Sequence, residues 1–445
     1  MQSNFKGTAT LPRCFKAMMC AVTGLSLLAT ASPIGATAAS SVEVRGAQFI
    51  PEDDIQRTCA VEVGVSYSTE ELRAIEACLM STAVFEAVAL YREDDVLVID
   101  VVELDTRPGR IAGGLFYDSQ DEVTASLFFE RENLFPGTYG ALEFSFNPEV
   151  KRLDGQLIWD DALGNGVSLG VRGFGEKLDH DDRSYAQEIY RIEPYVDWRP
   201  NELTRFEFGV GARRYSMSDV TPAASGLLAQ EAASLGDVTA PYVRFGIQVH
   251  SPDAAEGDET SGRVDYEANI HQVFWNLGTD DPLSETRLSG TVLVAVKERT
   301  RLLVGLRGGA VLGLKDNYTR VIDRFFPGAE AFRGFAPRGI GPRDGPDALG
   351  GNYYLVGSVE LQRQFSTRNG MNFVGSAFAD VGASWGLDDT LGGVIDDSWH
   401  RRSSVGVSLT FDVASVPVSL YVAHPVESEA GDDLQTLGLS ISARF

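Results

Sequence analysis

The chain has 445 residues, with 38 Lys and Arg against 63 Asp and Glu, for a formal charge of −25. A balance this acidic argues against a nucleic-acid partner, which would favour basic patches. The histidines His180, His250, His271, His400 and His424 are scattered without metal-ligand spacing, so no metal and no other cofactor is expected.

Residues 1–38 have the form of an export signal. Lys6, Arg13 and Lys16 make the positive region, an apolar run extends from Ala17 to Ala29, and Ala36-Thr37-Ala38 fits the small-x-small cleavage rule. The run is short of the about 20 apolar residues that a spanning helix needs. Met18 and Met19 before Cys20 lack the small-residue context of a lipoprotein cleavage site. The mature chain is expected to start near Ala39 and to leave the cytoplasm.

Residues 41–104 form a pattern of their own. Val42 and Val44 alternate with polar neighbours, as in a strand. PEDDIQRTC, from Pro51 to Cys59, opens with proline and acids like a helix start. Ser68 or Thr69 caps a second helix, with Glu70 and Glu71 in its first turn and Leu72, Ile75 and Leu79 on its apolar face. VFEAVALY and VLVIDVVE then read as a hairpin split at Glu93-Asp94-Asp95. The order β-α-α-β-β describes a small α+β domain. Its cysteines, Cys59 and Cys78, fall near the ends of the two helices. An oxidising compartment permits a disulfide between them, and two buried free thiols are the alternative. With Gly46 after the first strand, Gly64 and Tyr67 before the second helix, Phe85 and Val88 opening the hairpin and Glu103 closing it, the segment resembles a periplasmic POTRA domain. The resemblance implies a strand edge for clients, or for a periplasmic or inner-membrane accessory protein.

From Gly109 to Phe445 no convincing helical period is found, and strand-like runs recur between Gly, Asp, Asn and Pro. The last is the clearest: Leu437, Leu439, Ile441, Ala443 and Phe445 share one face, and Thr436, Gly438, Ser440, Ser442 and Arg444 the other. SVGVSLTFD, from Ser404 to Asp412, repeats it. A soluble sandwich also alternates. Here, however, the inner face is small and polar rather than a second core, and each run matches the about 9–11 residues that cross a bilayer at a tilt. About sixteen such runs predict a closed antiparallel transmembrane β-barrel, whose closure satisfies every backbone donor and acceptor in lipid. Phe445 ends the chain on the apolar face and is expected to act as its barrel-insertion signal.

One segment, at about 313–351, interrupts the alternation with FFPGAEAFRGFAPRGIGPRD, Phe325 to Asp344, rich in Gly, Pro and Arg. It is far longer than a connection requires. Its Phe332-Arg333-Gly334-Phe335 is similar to the [V/I]RG[F/Y] motif in the inward-folding loop of the BamA/TamA superfamily, departing at the first position only. Ile340–Asn352, Glu132–Gly140 and Phe378–Gly386 resemble further stretches of that family. A second VRGF at Val171–Phe174 sits in an alternating run and reads as ordinary strand; the GVSLG within that run, Gly166–Gly170, lacks the strand–turn–helix of a hydrolase elbow. Alternation places Glu360 and Asp380 on the inward face of the two strands after the loop. The resemblance implies that Arg333, whose planar fork suits carboxylates, anchors the loop to these acids.

The resemblance implies a non-enzymatic assembly or insertion factor in the outer membrane of a Gram-negative bacterium. Its partners would be unfolded outer-membrane protein clients and outer-membrane lipids. The glycines Gly109, Gly113 and Gly114 in the first barrel strand either weaken a lateral seam or fit a tight corner. A two-partner-type secretion pore and an accessory surface antigen without insertase activity are the alternative readings.

Overall fold

The structure is a computed structural model. It describes residues 40–444 apart from 83, 94, 105–108, 119–120, 236, 253–261, 367–371 and 414–415. The export signal read at 1–38, Asp94 of the hairpin turn and the insertion signal read at Phe445 lie outside the described residues. The chain divides into two compact units: residues through Ala47 with Glu52–Val102, and Gln48–Pro51 with residues from Glu103 onward.

The first unit has the expected α+β order. It comprises β1 (Ser41–Arg45), α1 (Glu52–Thr58), α2 (Thr69–Ser81), β2 (Phe85–Glu93) and β3 (Val96–Glu103). Its sheet runs β1-β3-β2, with β1 parallel to β3. Ser68 starts α2 with a reciprocal cap: its hydroxyl accepts from Glu71 N–H, and its own N–H donates to the Glu71 carboxylate at 2.7 Å. That N–H holds the Glu71 carboxyl below its usual range. Ile75 and Leu79 of α2 are buried, as are Ile55, Phe85, Val88 and Ile99, and each such side chain contributes about 1.5–3 kcal/mol on burial. Gly46 has φ 82°, and a Cβ there would lie 2.0 Å from the Val101 carbonyl, so only glycine fits.

Cys59 and Cys78 are disulfide-bonded, with Cα atoms 6.0 Å apart and a sequence separation of 19. Closing a loop of this size is worth about 3 kcal/mol. Mass spectrometry of the unreduced mature protein after alkylation should therefore show neither cysteine modified, and two alkylated thiols would refute the bridge. Reduction should lower the stability of this unit by about that amount.

The second unit is a barrel. Its strands are β4 (Gly109–Asp118), β5 (Glu122–Glu132), β6 (Thr138–Phe146), β7 (Val150–Trp159), β8 (Val167–Leu178), β9 (Ala186–Asn201) and β10 (Thr204–Ser218). After helix α3 (Gly226–Leu235) come β11 (Val238–His250), β12 (Val264–Trp275), β13 (Leu283–Lys297) and β14 (Thr300–Gly313). A long segment then carries three two-residue strands, β15 (Gly334–Phe335), β16 (Arg343–Asp344) and β17 (Asp347–Ala348). The chain resumes in β18 (Tyr353–Ser366), β19 (Asn372–Trp385), β20 (Arg402–Val413), β21 (Val416–Glu427), β22 (Leu434–Gln435) and β23 (Leu437–Arg444). Sixteen strands, without β15–β17 and β22, close in sequence order, each neighbour pair antiparallel, with β23 against β4.

Side-chain alternation explains the closure. Leu127, Ile192, Val210, Ile270, Val359 and Val407 are among the exposed apolar residues of the outer wall, where lipid rather than water receives them. The inner wall from β7 to β13 is charged and cross-braced. Arg244 on β11 bridges Glu193 on β9 at 2.7 Å and Glu207 on β10 at 2.5 Å, and Arg152 on β7 bridges Glu176 on β8 at 2.8 Å. The inner wall of β5, β6 and β19–β21 adds hydroxyl pairs, with Ser126 bonded to Ser145 and Ser376 to Ser408, both at 2.6 Å. Bacterial barrels keep short turns on the periplasmic side and long loops outside. The turns 202–203 and 298–299 therefore mark the periplasmic rim, and the segments 219–237, 314–352 and 386–401 the outer one.

Two features differ from expectation. No helix was expected beyond Gly109, yet α3 occupies the outer segment between β10 and β11. Its ten residues include four alanines or glycines and show no broad polar face, so its period is faint; it owes its stability to packing, since helices this short are marginal alone. The last run, expected as one strand over 434–445, breaks at Thr436, where β22 leaves the barrel to pair with β15.

Candidate functional site

The segment 314–352 enters the barrel from the outer rim, and Arg333 lies at its inward end. The Arg333 Nε and Nη2 donate to Asp380 at 2.9 and 2.8 Å, Nη1 donates to Glu360 at 2.5 Å, and Nη2 also reaches the Ser358 hydroxyl at 3.0 Å. Ser358 donates in turn to Asp380 at 2.6 Å, and Gln362 to Glu360 at 3.0 Å. The guanidinium carbon sits 3.5 Å from the centroid of the Phe378 ring. Glu360 and Asp380 are buried, 8% and 3% exposed. Contacts of this charged kind contribute about 1.5–3 kcal/mol each.

The flanking motif residues hold the arginine in place. Phe332 and Phe335 are fully buried, with ring centroids 4.7 Å apart, and pack with Ile340 and Val356. Gly334 has φ 98°, and a Cβ there would lie 2.9 Å from the Ser404 Cβ, so the chain passes this point only as glycine. Ser404 on β20 donates its hydroxyl to the Arg333 carbonyl at 2.5 Å. Beyond the motif, Ala336 N–H donates to the Asp433 carbonyl and Asp433 N–H to the Gly339 carbonyl, both at 2.9 Å. The loop tip is thus bonded to the segment that leads into β23.

Above the motif the outer segments form a lid. Leu227 and Leu228 of α3 pack with Tyr185, Val321, Leu349 and Ile395 from three other outer segments. Within it, Glu231 of α3 accepts from Arg324 at 2.5 Å and from the Val321 N–H at 2.7 Å. Both side chains are almost fully buried, and burial pushes the Glu231 carboxyl above its usual range although Arg324 opposes the shift. Arg213 on β10 reaches Asp323 at 3.2 Å, tying the lid to the wall.

The structure thus brings Arg333, Glu360 and Asp380 together and packs Phe332 and Phe335 beside them. The sequence did not single out Ser358, Phe378 or Ser404. The signal was present in part: Ser358 and Phe378 share the inward parity of Glu360 and Asp380. The Glu231–Arg324 pair joins residues 93 positions apart and leaves no local signature. Val171–Phe174 lies within β8, as strand.

Residues 160–445 match the model of the Omp85 superfamily domain. The chain belongs to the Omp85 superfamily. A curated relative, the outer membrane protein assembly factor BamA of Neorickettsia risticii (strain Illinois), is 30% identical over 186 residues, 41% of this chain and 25% of that protein. The chain therefore matches about a quarter of that relative's length. BamA from Haemophilus ducreyi lacking POTRA domains 1–3 shares the fold at 18% identity with a TM-score of 0.69, over 91% of this chain and 84% of that one. CdiB from Escherichia coli, at 12% identity and a TM-score of 0.50, covers 93% of this chain and 91% of its own. Membership of the superfamily and the sixteen-stranded barrel place the protein in the bacterial outer membrane.

Proposed function

We propose that this protein is an assembly or insertion factor for outer-membrane β-barrel proteins, acting by strand templating at a lateral seam. The observation that carries this reading is the shortness of the β4–β23 junction. β4 pairs with β5 along its whole length, Gly109–Asp118, but among the described residues it pairs with β23 over Gly114–Tyr117 alone, opposite Arg444–Ile441. Among the described residues, Gly109–Gly113 has no partner on β23, and an unpaired edge is a template for backbone hydrogen bonding with an incoming strand. Gly113 and Gly114 at this edge weaken strand packing further. The loop tip supports the same reading, because its hold on β22 fixes the entry to the last strand beside the seam. Unfolded outer-membrane proteins and the surrounding lipids are the partners, and the α+β unit offers its own strand edge to clients or to an accessory protein.

The test is a reversible lock. Leu115 and Ala443 are register partners across the seam, where opposed Cβ atoms come about 4.5–5.5 Å apart. Leu115→Cys with Ala443→Cys, oxidised, should stop the accumulation of several barrel proteins in the outer membrane, and reductant should restore it. The wild type under the same reductant controls for the Cys59–Cys78 pair. Unchanged assembly with the seam fully cross-linked sinks the reading, and loss of a single secreted protein from the medium would instead favour an export pore.

A further inference from the structure

Beside the motif, toward the hydroxyl-lined wall, the lumen holds a cavity of about 360 Å³. Arg333 and Ala331 bound it on the loop side, and Gly438 and Leu439 of β23 reach its edge. Its walls carry the neutral hydroxyls of Ser289, Thr291, Ser358, Ser408, Thr410 and Ser419. The acids that reach it, Glu360 and Asp380, are both committed to Arg333. Arg307 on β14 also lines the cavity. It stands between Ser289 and Val356 in register, it is exposed, and among the described residues no carboxylate lies within ion-pair distance of it. By contrast, Arg152, Arg205 and Arg244 of the charged wall each hold an acid, and Arg191 is packed over the Phe174 ring.

From this we infer that the cavity is a receptor for the free carboxyl end of an extended polypeptide, with Arg307 as the carboxylate's counter-ion. The inference rests on the proposed assembly function and names the part of a client that the lumen would hold. The chemistry fits a chain end better than other anions. A terminal carboxylate carries one negative charge, matching one free guanidinium, and a planar fork binds it through two parallel hydrogen bonds. The peptide groups behind it need neutral donors and acceptors, which the hydroxyls supply. The volume lies at the low end for ligand sites and suits a short extended segment rather than a folded element. The position matters as well: β23 edges the cavity, so a chain end seated there leaves its preceding residues beside the seam strands.

The test uses the full-length protein in lipid nanodiscs and a peptide of residues 437–445, LGLSISARF, made with a free carboxylate or a C-terminal amide. The acid form should bind about tenfold more tightly than the amide, as expected for one charge-assisted contact. Arg307→Gln should bring the acid form to the level of the amide, and Arg307→Lys should keep part of the difference. A photoreactive residue at Thr291 should capture the peptide. Equal affinity of acid and amide, or an acid preference that survives Arg307→Gln, overturns the inference. So does capture only by a photoreactive residue at Gly113, which would leave a seam site and the assembly reading standing. So does equal competition by anionic lipid, which would make the cavity a lipid-phosphate site. Conversely, acid-selective capture at Thr291 in a protein whose locked seam still assembles clients would keep the receptor and discard templating at the seam.

Discussion

Replacing Arg333 by Ala should free the loop tip from the barrel wall while leaving the barrel closed. The substitution removes the donors to Asp380, Glu360 and Ser358 at once. It also leaves two carboxylates near each other without their shared counter-ion. Truncating one partner of a buried, hydrogen-bonded charge group costs on the order of 3–5 kcal/mol. The barrel's strand pairs are untouched, so the loss falls on the loop. Arg338 and Arg343 are partly buried in the native loop, where Arg338 donates to the Tyr185 hydroxyl at 3.0 Å and Arg343 pairs with Asp433. Once the tip is released, trypsin added from outside should cut at these two residues, and heat-modifiable mobility of the barrel should persist. Arg333→Lys should rescue protection only in part, because an ammonium cannot serve both acids with the same geometry. The double variant Arg333→Ala with Glu360→Gln decides the pairing: a cost well below the sum of the single costs shows coupling, and simple additivity in loop protection would show that Glu360 does not anchor the arginine.

The barrel was legible in the sequence because lipid makes alternation strict. Leu355, Val359 and Leu361 on β18 face outward and Glu360 inward, and a one-residue slip would reverse every one of them. The periodicity that marks sixteen strands in the sequence is the one the structure closes. The same alternation assigns an inward side to Glu360 and Asp380, but it does not say what they meet; that expectation came from the motif's resemblance. What alternation cannot encode is backbone pairing between distant segments. β15 and β22 pair through main-chain groups of Gly334–Phe335 and Leu434–Gln435, and neither dipeptide carries a strand pattern. The lid is hidden for a related reason. Its core joins Leu228, Val321 and Ile395 from segments that are each irregular, so no local period points to a common interior. Arg307 carries no signal of its own in the sequence, because a lone arginine in a barrel strand acquires meaning only when the nearby acids, Glu360 and Asp380, are paired with Arg333.

Arg324→Met should open the lid at neutral pH and spare it in acid. In the native protein Arg324 lies under the lid, donating to Glu231, to the Thr319 carbonyl at 2.7 Å and to the Leu349 carbonyl at 3.3 Å. Methionine fills much of the same space but leaves the Glu231 carboxylate buried with only the Val321 N–H. An unpaired buried charge of this kind costs on the order of 3–5 kcal/mol. Burial already raises the Glu231 carboxyl above the ordinary value of 4.5, and losing Arg324 raises it further. The closed lid therefore binds this proton more tightly than the open one. The stabilisation from that proton is complete below 4.5 and is lost as pH rises through the closed-lid value. Relative to the native protein, the deficit of the variant should be largest at neutral pH and should shrink on acidification. Hydrogen exchange of the α3 amides, 226–235, reads this directly: faster exchange in Arg324→Met near neutral pH, approaching the native rate, after correction for intrinsic chemistry, as the pH is lowered toward 4.5. Adding Glu231→Leu should restore slow exchange at all pH values, because replacing both members of a buried pair by apolar groups is often neutral or stabilising. A variant lid that exchanges at the same corrected rate across that range, or one that Glu231→Leu fails to rescue, would show that the pair is not what holds α3 against the loop.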